Sequence, residues 1–325
     1  MSPPLDAADG RRAGAAAPMT TSMPVSTSTA MPADHGPELA VVVGATGAMG
    51  RVIVQALLAR GLHVMAVARS ADALAGLKAE VEAAARGHAT GLTPGLAPGG
   101  TPGHAARPAA PTASGTASAA ATLHLCPTDI ADDRAIADIG AAVAALGRPV
   151  RIAVQGAGVA TAGGVLEAPT AALVQAVDIK VGGLVRLVRA VEPALRRQSR
   201  IVAIGGHYGF EPSAYAATAG VANAALANLV RQYSWALGER GITAHLVAPG
   251  PADTERLHRV AAARGAREGQ STAEVLEAMR AESAIGAFTT PEQIAWAIAL
   301  LCDPQADALA GGTLFMDAGR RKGLP

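Results

Sequence analysis

Cysteine is scarce in this 325-residue chain: Cys126 and Cys302 stand alone, with neither a CxxC pair nor ligand-like His/Cys spacing. That excludes a disulfide framework and a zinc site, and both thiols are expected to lie buried in a reducing, cytoplasmic environment with no metal bound. Charge is also in short supply. Charged residues make up 16% and the formal net charge is +1, which excludes a polybasic nucleic-acid surface and leaves a small molecule as the expected ligand. Long apolar runs are missing as well. None reaches the roughly 20 residues of a membrane helix, Arg51 interrupting the best candidate, so a soluble protein with no membrane partner is expected. Residues 1–37 carry neither a compact apolar segment nor an amphipathic arginine-rich pattern, and they resemble no export or transit signal. They read as a disordered leader in which Met19, Met23 and Met31 offer alternative starts.

From Glu38 onward apolar runs alternate with helical patterns, the signature of βαβ units on a parallel sheet. ELAVVV reads as a buried strand, RVIVQALLARG as a helix closed by Gly61, LHVMAVA as the second strand, and ADALAGLKAEVEAAARG as an amphipathic helix ending at Gly87. Residues 88–121 are rich in Gly, Pro, Ala and Thr without period and read as a disordered insertion. The alternation resumes with TLHLCPTDI, a helix over 131–147, the strand RIAVQGAG, one long helix over 170–197, and the strand RIVAIGG. A further helix leads to the strand GITAHLVAPG, and GTLFMDAG makes a short last strand. A single doubly wound α/β domain over residues 38–320, followed by a tail over 321–325, accounts for the pattern.

Strand VVV runs into Gly44-Ala-Thr46-Gly47-Ala-Met49-Gly50 and then a helix. Glycines at such a turn let backbone approach a pyrophosphate while the helix N-terminus offers free N–H groups; the plainer reading is a merely tight βα turn. At the end of the second strand, where a ribose-binding carboxylate is expected, the chain has Ala68 and then Arg69. A neutral residue followed by a guanidinium favours a 2′-phosphate, hence NADP(H), unless Arg69 is only a solvated strand-end charge.

Together these residues resemble the short-chain dehydrogenase/reductase family, from about Leu39 to Gly319. Gly44 to Gly50 is similar to its TGxxxGxG turn, Asp129 with Ile130 to the adenine-holding TDI, and Gln155-Gly-Ala157-Gly158 to NNAG. Pro249-Gly250 with Thr254 resembles the motif near the nicotinamide carboxamide, and MDAG the C-terminal VDGG. The resemblance implies a Rossmann fold and a homo-dimer or homo-tetramer built on the helices that hold Asp178 and Asn223. It also implies a tyrosine, lysine, serine and asparagine for proton transfer. Counted back from GITAHLVAPG, the lysine seat is Asn223, the tyrosine seat Ala219 and the serine seat Gly206; the asparagine seat falls in VDIKVGG on Asp178. An alternative alignment makes Tyr215 the tyrosine, but then Ala219 takes the lysine seat. No lysine lies between Lys180 and Lys322, so the cation is missing either way.

Four residues are candidates to replace the missing groups: Tyr215 as acid or orienter, His207 and Tyr208 on the loop after the serine seat, and Asp178 as a base. The plainer reading is packing for the first three and a surface carboxylate paired with Lys180 or Arg186 for Asp178. Asn223 retains the capacity to bond a ribose hydroxyl. Residues 252–288 read as a substrate lid of two helices, whose Arg256, Arg259 and Arg264 face either an anionic substrate or solvent. The expectation is an NADP(H)-binding oxidoreductase with a non-standard site, acting on a small carbonyl or activated unsaturated substrate by proximity and orientation. A non-redox isomerase, cyclase or lyase on the same scaffold, and a catalytically silent NADP(H)-binding subunit, are the alternatives.

Overall fold

The computed structural model describes residues 37–89, 121–159 and 163–323. The expected leader up to residue 36 and most of the expected insertion lie outside the described residues. Seven strands, β1 (Leu39–Val43), β2 (His63–Ala68), β3 (Leu123–Pro127), β4 (Val150–Gln155), β5 (Leu195–Ile204), β6 (Thr243–Pro249) and β7 (Thr313–Met316), form one parallel sheet in the order β3-β2-β1-β4-β5-β6-β7. Strand order reverses direction between β1 and β4. That switch point is where an open α/β sheet leaves a crevice at the carboxyl ends of its strands.

Nine described helices flank the sheet: α1 (Ala48–Ala59), α2 (Ala71–Ala89), α3 (Arg134–Leu146), α4 (Thr170–Val177), α5 (Gly183–Val191), α6 (Ala217–Gly238), α7 (Glu255–Glu268), α8 (Thr272–Ala281) and α9 (Pro291–Leu300). Strands covered on both faces read as unbroken apolar runs, and β1 is buried throughout. Its side chains alternate. Val41 and Val43 join Ile139, Leu187 and Leu226 from α3, α5 and α6, while Ala40 and Val42 join Ile53, Leu74 and Ile298 from α1, α2 and α9. Both cysteines are buried, which pushes their thiols above the usual range. No helix of the described residues is long and apolar enough to cross a membrane.

The structure corrects several expected boundaries. Helix α2 runs to Ala89, two residues into the expected insertion. The single helix expected over 170–197 is broken: α4 and α5 are joined by a π turn at Asp178–Gly182, and a 3₁₀ turn at Glu192–Ala194 follows α5. Pro193 lacks the N–H that would continue a helix, so Leu195 to Arg197 join β5 instead. Helix α9 escaped the sequence reading although Thr290 and Gln293 form a capping box with Pro291 in the first turn. The expected tail is docked as far as Gly323, whose N–H donates to Glu211 at 2.8 Å.

Candidate active site

The β1–α1 turn is built for close approach. Gly44 has φ +78°, and a Cβ there would lie 2.8 Å from the carbonyl carbon and oxygen of Gly156, so the loops leaving β1 and β4 touch at the switch point. A Cβ on Gly50 would come within 2.2 Å of the Gly44 carbonyl oxygen. Gly47, exposed, is the N-cap of α1 and no side chain caps the helix, so its first N–H groups are available to an anion; Thr46 and Met49 stand beside it in the same turn.

The other residues expected to hold a nucleotide leave the carboxyl ends of neighbouring strands. Arg69 follows β2, is exposed and makes no ion pair among the described residues. After β3, the Asp129 carboxylate accepts from the Ala131 N–H at 3.0 Å, and Ile130 is buried against the core. Ala157 and Gly158 follow β4, and the Arg256 guanidinium from α7 lies 3.7 Å from where a Gly158 Cβ would be. Pro249 ends β6, a Cβ on Gly250 would meet Asp317 Cα at 2.9 Å, and Thr254 is the N-cap of α7, its hydroxyl donating to Ala252 O at 3.2 Å.

Past β5 the chain lies directly on α6. A Cβ on Gly206 would fall 2.8 Å from Asn223 Nδ2, and one on Gly209 would fall 2.8 Å from Asn223 Cβ, so the loop and the asparagine fit only because both glycines are bare. Asn223 is 3% exposed, and its Oδ1 is buried with no hydrogen-bond partner among the described residues. Such an acceptor suits a hydroxyl donor. His207 is buried in a 3₁₀ turn (His207–Gly209) and bonds the Pro249 backbone. Burial, then the charge of Arg320, lowers its pKa and so favours the neutral imidazole. Tyr215 is not on the helix at all: α6 begins at Ala217, and the Tyr215 ring is 55% exposed. Its hydroxyl is spent on that of Tyr208, 2.7 Å away, and burial with that bond raises the Tyr208 pKa.

Asp178 does not reach the crevice. Its carboxylate turns outward to the Arg186 guanidinium at 2.9 Å. The inward residue is Lys180, 8% exposed, whose Nζ donates to Ile204 O at 3.1 Å and lies 3.5 Å from Gly205 O, at the carboxyl end of β5. Gln155, the last residue of β4, sets this geometry: its Nε2 donates to Ile179 O at 2.7 Å within the π turn. A Cβ on Gly183 would stand 2.2 Å from that nitrogen. Burial, with the charge of Arg256, pulls the Lys180 amine down to about 8. Sequence reasoning missed Lys180 because it sought the cation on α6. The available signal was phase, since Lys180 lies four residues after buried Ala176 and four before buried Leu184.

The lid expected over 252–288 is two packed helices on zipped feet. Ala252 and Thr289 form a parallel bridge, and Leu257 and Ala261 of α7 pack on Val275 and Met279 of α8. Arg259 and Arg264 pair along α7 with Glu255 at 3.5 Å and Glu268 at 2.9 Å, as a solvated face would. Arg256 makes no ion pair among the described residues and points back over Gly158.

Comparison with known proteins bears on the family and the fold. The family model described as enoyl-(acyl carrier protein) reductase matches residues 104–321. Short-chain reductase protein NovJ of Streptomyces niveus is 30% identical over 148 residues, 44% of this chain and 53% of NovJ, so the chain spans about half of that relative's length. Dehydrogenase OXI1 of Cochliobolus heterostrophus is 27% identical over 185 residues, covering 56% of this chain and 76% of OXI1. L-sorbose reductase from Gluconobacter frateurii, solved with NADPH and L-sorbose, superposes with a TM-score of 0.72 at 19% identity, covering 89% of this chain and 98% of that one. At that identity the superposition speaks to the fold.

Proposed function

Because the chain belongs to the short-chain dehydrogenase/reductase family, we propose that it is an NADP(H)-dependent oxidoreductase acting on a small carbonyl or activated unsaturated substrate through a non-standard proton-transfer site. One observation carries this reading: the bare glycine turn at the uncapped N-terminus of α1, closed against Gly156 at the switch point. A side chain at Gly44 would collide with the Gly156 backbone and one at Gly50 with the Gly44 carbonyl, so the glycines hold the tight strand-to-helix turn that a dinucleotide site uses. Gly44, Thr46, Gly47, Met49 and Gly50 would receive the pyrophosphate, Arg69 the 2′-phosphate, and Asp129 with Ile130 the adenine. Ala157 and Gly158 would flank the adenosine side, Asn223 Oδ1 would accept from a ribose hydroxyl, and Pro249, Gly250 and Thr254 would hold the carboxamide. When bound, the nicotinamide supplies or accepts the hydride.

Fluorescence titration with NADPH and NADH tests the reading. NADPH is expected to bind more tightly, and Arg69→Ala to weaken NADPH by roughly 10-fold or more while leaving NADH almost unchanged, since charge-assisted phosphate bonds contribute about 1.5–3 kcal/mol. Failure to bind either nucleotide would sink it. Binding without turnover of ketones, quinones and activated alkenes would favour a catalytically silent binder, for which Ala219, carrying no phenol, is the supporting observation. The exposed Val174 on α4 and Val221 and Trp235 on α6 support a homo-dimer or homo-tetramer, checked by sedimentation.

A further inference from the structure

The crevice holds a cation that none of these roles uses. Lys180 is buried on the π turn, and the acceptors its ammonium meets are main-chain carbonyls of Ile204 and Gly205, the residues just before Gly206. Those carbonyls engage two of its three N–H groups, and one is left over. No carboxylate pairs with it among the described residues: Asp178 on its own segment is held by Arg186, and the nearby charge from α7 is the Arg256 guanidinium. Beyond Gly206, His207 is bound to the Pro249 backbone, and the Tyr208 and Tyr215 hydroxyls are bound to each other. Burying an ammonium without an acid partner is costly, and a neutral amide would tie the π turn to β5 at far less cost. The placement therefore calls for a use of the charge itself.

We propose that Lys180 is the proton-transferring residue of this site, its ammonium giving up the proton that the substrate oxygen takes as the adjoining carbon is reduced. The proposal rests on the oxidoreductase reading above. The substrate carbon takes a hydride, the C=O π pair collapses onto oxygen, the N–H bond of Lys180 breaks and an O–H bond forms. The neutral amine then recovers its proton from water, and the hydride comes from the reduced nicotinamide. Burial and Arg256 suit the amine to proton donation, because at about 8 it is still mostly protonated at neutral pH yet releases its proton more readily than a solvated lysine. The cation therefore stands on the segment between α4 and α5, while Asn223 holds the lysine seat on α6.

The test uses the full chain, its Lys180→Met and Lys180→Arg variants, and two readouts. In the first, calorimetric titration with NADPH in buffers of different ionisation enthalpy measures protons taken up on binding. The wild type is expected to take up a fraction of a proton, greatest near pH 8, and Lys180→Met to take up none while binding NADPH within about threefold of wild type. In the second, single-turnover NADPH oxidation is followed against pH with α-dicarbonyls and quinones. The wild-type rate should fall as pH rises through about 8. Both variants should lose about 100-fold or more and show no such break, because methionine has no proton and arginine does not release one. Rescue by arginine, or a Lys180→Met protein with wild-type rate and pH profile, would overturn the proposal and leave a structural pin. A wild type that binds no NADPH would instead sink the oxidoreductase reading, and this proposal with it.

Discussion

Gly206 and Asn223 act as one unit at the residue scale, because a Cβ on the first would fall 2.8 Å from the amide nitrogen of the second. Asn223 has little room to yield, since Gly209 closes on its Cβ from the same loop. Gly206→Ser alone is expected to cost about 1–3 kcal/mol in urea unfolding, the usual range for overpacking a tight core. Combined with Asn223→Ala, most of that loss should return; strict additivity would show that the two residues do not share the space. The pairing also explains why the site could be read only in part from sequence. Glycine at 206 and asparagine at 223 were each legible as departures from a family pattern, but their mutual fit depends on a loop meeting a helix seventeen residues later.

At the scale of the element, the π turn between α4 and α5 decides which side chain enters the crevice. A π turn inside a helix costs backbone bonds and needs an outside partner, which Gln155 supplies to the Ile179 carbonyl. Gln155→Ala is expected to leave that carbonyl unsatisfied and to lower stability by about 1–3 kcal/mol in denaturant unfolding. Gly183→Ala should cost more, since its methyl would overlap the Gln155 amide nitrogen at 2.2 Å. Elsewhere the elements follow local rules. Helix α9 begins with a Thr290 and Gln293 capping box, and Thr290→Ala should cost about 1 kcal/mol by the same assay.

For the whole molecule, two buried bases shape stability against pH. His245 is fully buried, and burial lowers its pKa from 6.5 to about 4. Between those values the unfolded chain binds a proton the native state refuses, so stability present above pH 6.5 is lost as pH falls toward 4. Lys180, lowered from 10.5 to about 8, acts at the other end. Below pH 8 the buried charge is a full burden, and stability rises as pH climbs from 8 to 10.5, where only the unfolded chain still holds the proton. The pH-dependent gain between pH 8 and 10.5, on the order of 3 kcal/mol, is therefore expected to vanish in Lys180→Met. Urea unfolding at a series of pH values checks it. NADPH at 100 times its dissociation constant should add about 2.7 kcal/mol, read as a rise in Tm.

The order of the seven strands, the glycine turn, the absence of an acid after β2 and the two helices within residues 252–288 were determined by sequence alone, because each is a local pattern of apolar period, turn residue or cap. The break at Pro193 was equally local and was overlooked in favour of the long period around it. What only the tertiary structure decided is the composition of the site. Asp178 and Lys180 stand two residues apart, and nothing in their spacing says which one turns toward Arg186 and which toward β5. That choice is made by a hydrogen bond from Gln155 at the end of strand β4, by the small Gly183 beneath it, and by carbonyls 24 and 25 residues farther on. A buried ammonium is specified by everything packed around it, and those contacts are long-range.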